Sequence, residues 1–87
     1  MEKTFLIQNK LGLHARASSF FVQTANRFTS EIFVSRDGQE VNGKSILGVL
    51  MLAAPMGAEI TLRAEGEDAA AALDALEELI NDRFGEE

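Results

Sequence analysis

The run Glu59-Ile60-Thr61-Leu62-Arg63-Ala64 alternates polar and apolar side chains without a break. Successive side chains on a strand point to opposite faces, so Ile60, Leu62 and Ala64 face a core while their neighbours face water. A sheet made of such strands needs an apolar cover on one side only. Thr4-Phe5-Leu6-Ile7-Gln8 is a similar β-rich run with Phe5 and Ile7 on one face, and Glu31-Ile32-Phe33-Val34-Ser35 is another. Arg36-Asp37-Gly38 supplies an Asp-Gly hairpin turn, and Gln39-Glu40-Val41-Asn42 pairs back from it.

The cover comes from the segments between the strands. Residues 15–28 place Ala17, Phe21, Ala25 and Phe28 on one helical stripe, with Phe20 and Val22 beside it. Ser45 is placed to cap a short helix from Ile46 to about Leu52, which Pro55 and Gly57 end. Asp68 is expected to cap a last helix with apolar positions Ala69, Ala72, Leu73, Leu76 and Ile80. Either Leu79 or Phe84 completes its face, and Gly85 suits a C-terminal cap. The expected order is β-α-β-β-α-β-α in an α+β chain, with helices on one face of a largely antiparallel four-stranded sheet. At 87 residues, one domain spanning 1–87 with a single modest core is the expectation.

Charge and composition narrow the function. Eight basic against 14 acidic residues leave a net charge of −6. That argues against a nucleic-acid partner, which needs a basic footprint, and against docking on anionic lipid. There is no cysteine, hence no disulfide framework and no thiol chemistry. Neither a secretory leader pattern nor an apolar run of membrane-spanning length is present, which predicts a cytoplasmic protein.

One motif is a false match. Gly38-Gln39-Glu40-Val41-Asn42-Gly43-Lys44-Ser45 fits G-x-x-x-x-G-K-[ST], the phosphate-cradling P-loop. That loop needs a buried parallel strand before it and a long helix after it. Here the first glycine belongs to a hairpin, the residues between the glycines read as a strand, and Glu40 would repel phosphate. Nucleotide binding is therefore rejected. Ser45, at the mouth of a helix, has two readings: a simple cap, which spacing alone favours, or a site for a phosphate.

The single histidine carries the strongest chemical signal. His14 lies in Leu11-Gly12-Leu13-His14-Ala15-Arg16, where a glycine loop runs into a helix. Backbone N–H groups at a helix start point at an anion placed there, and an arginine can bind phosphate oxygens through several hydrogen bonds. An imidazole offers a neutral nucleophilic nitrogen at cell pH. With one histidine and no cysteine, no metal site and no cofactor is expected.

Asn9-Lys10-Leu11-Gly12-Leu13-His14-Ala15-Arg16, followed by Gly43-Lys44-Ser45-Ile46-Leu47-Gly48 and Leu52-Ala53-Ala54, resembles the HPr family. These are histidine-containing phosphocarriers of the bacterial phosphoenolpyruvate-dependent phosphotransferase system. The resemblance covers essentially the whole chain and implies an open-faced β-sandwich of the order given above. It implies that His14 accepts a phosphoryl group on Nδ1 from phosphorylated enzyme I and passes it to a sugar-transporter subunit or a regulatory acceptor. Arg16 would stabilise the phosphorylated ring. Ser45 matches the serine that a dedicated kinase phosphorylates in many members to slow that transfer. Such a protein is a carrier rather than a stand-alone enzyme, and it is expected to be a monomer. A second reading within the family is a mainly regulatory binding module, for which the presence of His14 is unfavourable. Ala17 departs from the pattern, because many members have proline there. Alanine is an excellent helix former, so the helix should persist, with a less rigid start.

The expected docking surface surrounds the histidine: Leu13 and Phe20 near it, Ile46, Leu47 and Met51 on the short helix, and a basic rim of Arg16, Arg27 and Lys44. Each of these apolar side chains has core packing as its alternative.

Overall fold

A computed structural model describes residues 1–86. The strands are β1 (Glu2–Leu6), β2 (Glu31–Arg36), β3 (Gln39–Asn42) and β4 (Glu59–Glu65). The helices are α1 (Ala15–Ala25), α2 (Ile46–Met51) and α3 (Ala69–Asn81), and a 3-10 turn follows at Arg83–Gly85. All strand pairs are antiparallel and the sheet order is β1-β4-β2-β3. The alternating run is thus a central strand, with Ile60 opposite Phe5 and Leu62 opposite Val34.

Ile60, Leu62, Ala64, Ile32 and Val34 are buried against the helices, where they meet Ala17, Phe21 and Ala25 of α1 and Ala72, Leu76 and Ile80 of α3. The opposite face is wet and tied by polar contacts. Thr4 and Thr61 hydroxyls lie 3.0 Å apart across β1 and β4. The Arg63 guanidinium lies 4.2 Å from the Phe33 ring centroid and reaches Glu40 at 2.8 Å and Glu65 at 2.6 Å. The expected one-sided sheet with its helical cover is the observed architecture.

Several local expectations are corrected. Helix α1 ends at Ala25, not Phe28; the Phe28 ring is half-buried against the core from the following loop, so the periodicity continued past the helix. Ile7 is buried as expected but lies just beyond β1, exchanging backbone bonds with Ala58 and Gly57. Asp68 makes no side-chain cap on α3. Its carboxylate instead accepts from the backbone N–H groups of Thr29 and Ser30, both at 2.9 Å, and from both of their hydroxyls, fastening α3 to the loop before β2. These donors, the Ser30 hydroxyl first, hold its pKa at about 2 from an ordinary 3.8. Helix α3 stops at Asn81, and Gly85, at φ +76, closes the 3-10 turn instead. Phe84 is 4% exposed and carries the last apolar contact, while Leu79 is half-buried beside the core.

Candidate functional site

The imidazole is held by a loop with little freedom. Gly12 has φ +66, and a Cβ there would stand 2.3 Å from the Ala54 carbonyl oxygen. Only glycine meets both conditions. The close approach lets the Leu13 N–H donate to that carbonyl at 2.9 Å. Leu13 is 4% exposed and belongs to the core, so it is not part of an exposed docking surface: its burial anchors the residue before His14. The buried Ser18 hydroxyl donates to the Leu13 carbonyl at 3.1 Å, fixing the loop to α1 from the other side.

His14 is the N-cap of α1, with extended backbone, and its Nδ1 accepts from the Arg16 N–H at 3.2 Å. The first i→i−4 bond of the helix runs from Ser18 to the His14 carbonyl at 2.8 Å. The N–H groups of Ala15, Arg16 and Ala17 precede that bond and have no partner within the helix, the arrangement that suits an anion. Nδ1 can accept only when unprotonated, so the neutral ring carries its proton on Nε2. Ala17, 1% exposed, keeps the helix start intact and retains the N–H that proline would lack.

On the other edge of the ring, Nε2 lies 3.5 Å from Oε2 of Glu86. Glu86 is held in turn: Oε2 accepts from the Asn9 side-chain amide at 2.9 Å, and Oε1 accepts from the Leu11 N–H at 3.0 Å. The Asn9 amide, wholly buried, also donates to the Gly12 carbonyl at 2.7 Å. The Asn9 amide, then the Leu11 N–H and His14, lower the Glu86 pKa below the usual carboxylate value against the opposing effect of burial. Neither residue stands out in the sequence as part of the site. The available hints are an asparagine at the foot of the glycine loop and a phenylalanine beyond the last helix that could pull the chain end inward.

The other expected site residues lie on α1, on α2 and in the two positions before α2, and the two helices pack together. Arg16 is exposed, with its guanidinium 5.6 Å from the centroid of the half-buried Phe20 ring. Ser45 caps α2, its Oγ accepting from the Gly48 N–H at 3.1 Å. Ile46, Leu47 and Met51 are 42%, 71% and 67% exposed, which makes them surface and not core. The Lys44 ammonium, expected on a free basic rim, donates to the Phe28 carbonyl at 2.6 Å and so braces the α1–β2 loop. The rejected P-loop is a hairpin: Asp37 and Gly38 have φ of 51° and 83°, and the Gly43 N–H is taken by the Ile32 carbonyl at 2.7 Å.

The molecule is thus an open-faced sandwich that presents one imidazole at a helix start. Residues 1–82 match the family model described as the HPr component phosphorylation site of the phosphotransferase system. The chain is 52% identical over 86 residues to the phosphocarrier protein HPr of Neisseria meningitidis serogroup A, covering 99% of this chain and 97% of that one. It matches a crystal structure of HPr from Thermoanaerobacter tengcongensis with a TM-score of 0.96 and 48% identity, over 100% and 98% of the two chains. A structure of an HPr dimer from the same organism matches with a TM-score of 0.81 and 48% identity, over 99% of each chain. The chain belongs to the HPr family, the phosphocarriers of the phosphotransferase system.

Proposed function

We propose that His14 accepts a phosphoryl group on Nδ1 from phosphorylated enzyme I and passes it to a sugar-transporter subunit or a regulatory acceptor. The observation that carries this reading is the address of Nδ1: its lone pair already faces the first N–H groups of α1, at 3.2 Å from that of Arg16. When the lone pair attacks phosphorus, the Arg16 N–H loses its acceptor and gains a phosphoryl oxygen in its place. The exposed Arg16 side chain can leave the Phe20 face and add a charge-assisted contact. Positioning and charge stabilisation are what phosphoryl transfer needs from a protein. The chain acts as a carrier, in the cytoplasm and as a monomer, although several of its structural relatives form dimers.

Partners dock on the exposed apolar group Ile46, Leu47 and Met51, bordered by Phe20 and Arg16. A kinase acting on Ser45 would add roughly two negative charges. They would fall beside this face and replace the bond that caps α2. Transfer at His14 would slow through weaker docking.

Incubation with enzyme I and phosphoenolpyruvate tests the assignment. The protein should gain one acid-labile phosphate, and His14→Ala should gain none. Labelling of the His14→Ala variant sinks it.

A further inference from the structure

The ring edge turned away from the helix also has a partner, the Glu86 carboxylate. The shallow pocket over His14 has two charged side chains in its lining, Arg16 from α1 and Glu86 from the C-terminal segment. Glu86 reaches the ring because Phe84 is buried in the core two residues earlier. Both of its oxygens are occupied by donors from the loop that carries His14, so the carboxylate and the ring are fixed to one frame. The Asn9 amide cannot be turned over without aiming its oxygen at the Gly12 carbonyl and the carboxylate.

We propose that Glu86 is a positioning residue for phosphoryl transfer: with Asn9 it holds a carboxylate against Nε2 of His14 and balances the charge that the ring acquires when Nδ1 is phosphorylated. This rests on the reading of His14 as the phosphoryl acceptor. The Nδ1 lone pair forms the new N–P bond while phosphorus separates from the donor, whose bonding pair leaves with the donor. Nε2 keeps its proton throughout. A neutral ring thereby becomes a phosphoimidazolium, and its positive charge lies beside the Glu86 carboxylate, 3.5 Å from Nε2 in the unphosphorylated protein. In delivery to an acceptor the N–P bonding pair returns to Nδ1 and the ring is neutral again. A phosphoryl group leaves an imidazolium more readily than a neutral imidazole, so Glu86 keeps the carried group transferable.

The test compares purified, phosphorylated wild type with Glu86→Gln and Asn9→Ala. The first readout is spontaneous loss of phosphate at pH 8, with no partner present. Removing the carboxylate leaves the charge of the phosphorylated ring unbalanced, so the phosphorylated Glu86→Gln protein should lose phosphate severalfold more slowly. A merely loosened site would admit water and lose phosphate faster. The second readout is transfer from enzyme I: kcat should fall severalfold with KM unchanged, because the docking face is untouched. Asn9→Ala should move both quantities in the same directions by less. Faster phosphate loss in Glu86→Gln, or rates equal to wild type in both readouts, overturns the proposal. If wild-type protein takes no phosphate at all, the assignment of His14 has failed instead, and the two failures are distinguishable.

Discussion

Replacing Gly12 with alanine should separate two kinds of cost that usually arrive together. At φ +66 an alanine carries the strain of a left-handed conformation, about 1–2 kcal/mol. Its methyl would also stand 2.3 Å from the Ala54 oxygen and 2.8 Å from Pro55 Cα, both of them backbone atoms that no rotamer change can clear. Forcing a methyl into such a contact costs about 1–3 kcal/mol more. Gly38 is the internal control, because it has φ +83 with nothing within 4 Å of the position of an added Cβ. Gly38→Ala should therefore cost about 1–2 kcal/mol and Gly12→Ala about 2–5 kcal/mol. Both substitutions stiffen the unfolded chain alike, so that contribution cancels in the difference. Urea unfolding gives the comparison directly, provided the slopes agree. In a domain of this size each kcal/mol is worth about 4–8 °C in Tm. Function should diverge as well. Relief of the contact at position 12 displaces the Leu13 N–H from Ala54, so phosphate acceptance at His14 should fall below the folded fraction for Gly12→Ala and match it for Gly38→Ala. Equal destabilisation by the two variants would refute the claim that the close approach to Ala54 sets the loop.

Two further outcomes follow from the polar contacts. Ser45→Ala removes the acceptor for the Gly48 N–H and should cost about 1 kcal/mol, with faster hydrogen exchange at that amide; unchanged exchange would mean that α2 does not depend on its cap. The Asp68 carboxyl has a pKa of about 2 in the folded chain against an ordinary 3.8, so the unfolded state binds more protons between those values. Its contribution is full above pH ~4 and is lost as pH falls toward 2, so Asp68→Asn should show a shallower decline of urea stability across that window than wild type. Identical slopes would mean that Asp68 has no part in acid stability.

What the sequence made legible was periodic or local. The alternation in residues 59–64 reports which face is buried, because side-chain direction on a strand has no freedom to do otherwise. The Asp37-Gly38 turn was legible for a similar reason, since few residues accept two consecutive positive φ values. The end of α1 was not legible, because Phe28 keeps the helical spacing while packing from a loop. Asp68 looked like a cap because caps are local, whereas its four donors come from Thr29 and Ser30, far away in the chain. Glu86 was invisible for the same reason in stronger form: it meets Asn9 across 77 positions, and no short-range pattern encodes such a contact. Leu13 and Leu47 show the limit on docking surfaces, since two similar residues near the motif are 4% and 71% exposed.

A carrier must bind its phosphoryl group well enough to keep it and weakly enough to release it. On the reading of His14 as that carrier, the site meets this condition by using the same donor in both states. Before transfer the Arg16 N–H is satisfied by Nδ1, and afterwards it is satisfied by the phosphoryl oxygen bonded to Nδ1. An N–H bonded in both states contributes only the difference between its two bonds, and only that difference can favour one state over the other. The same holds on the opposite edge, where Glu86 faces an N–H before transfer and a charged N–H after it. The burial of Leu13 and the approach of Gly12 to Ala54 are made before any phosphate arrives and do not change when it leaves. The cost of fixing the loop is thus met at folding, and the phosphoryl group can come and go against a small residual bias.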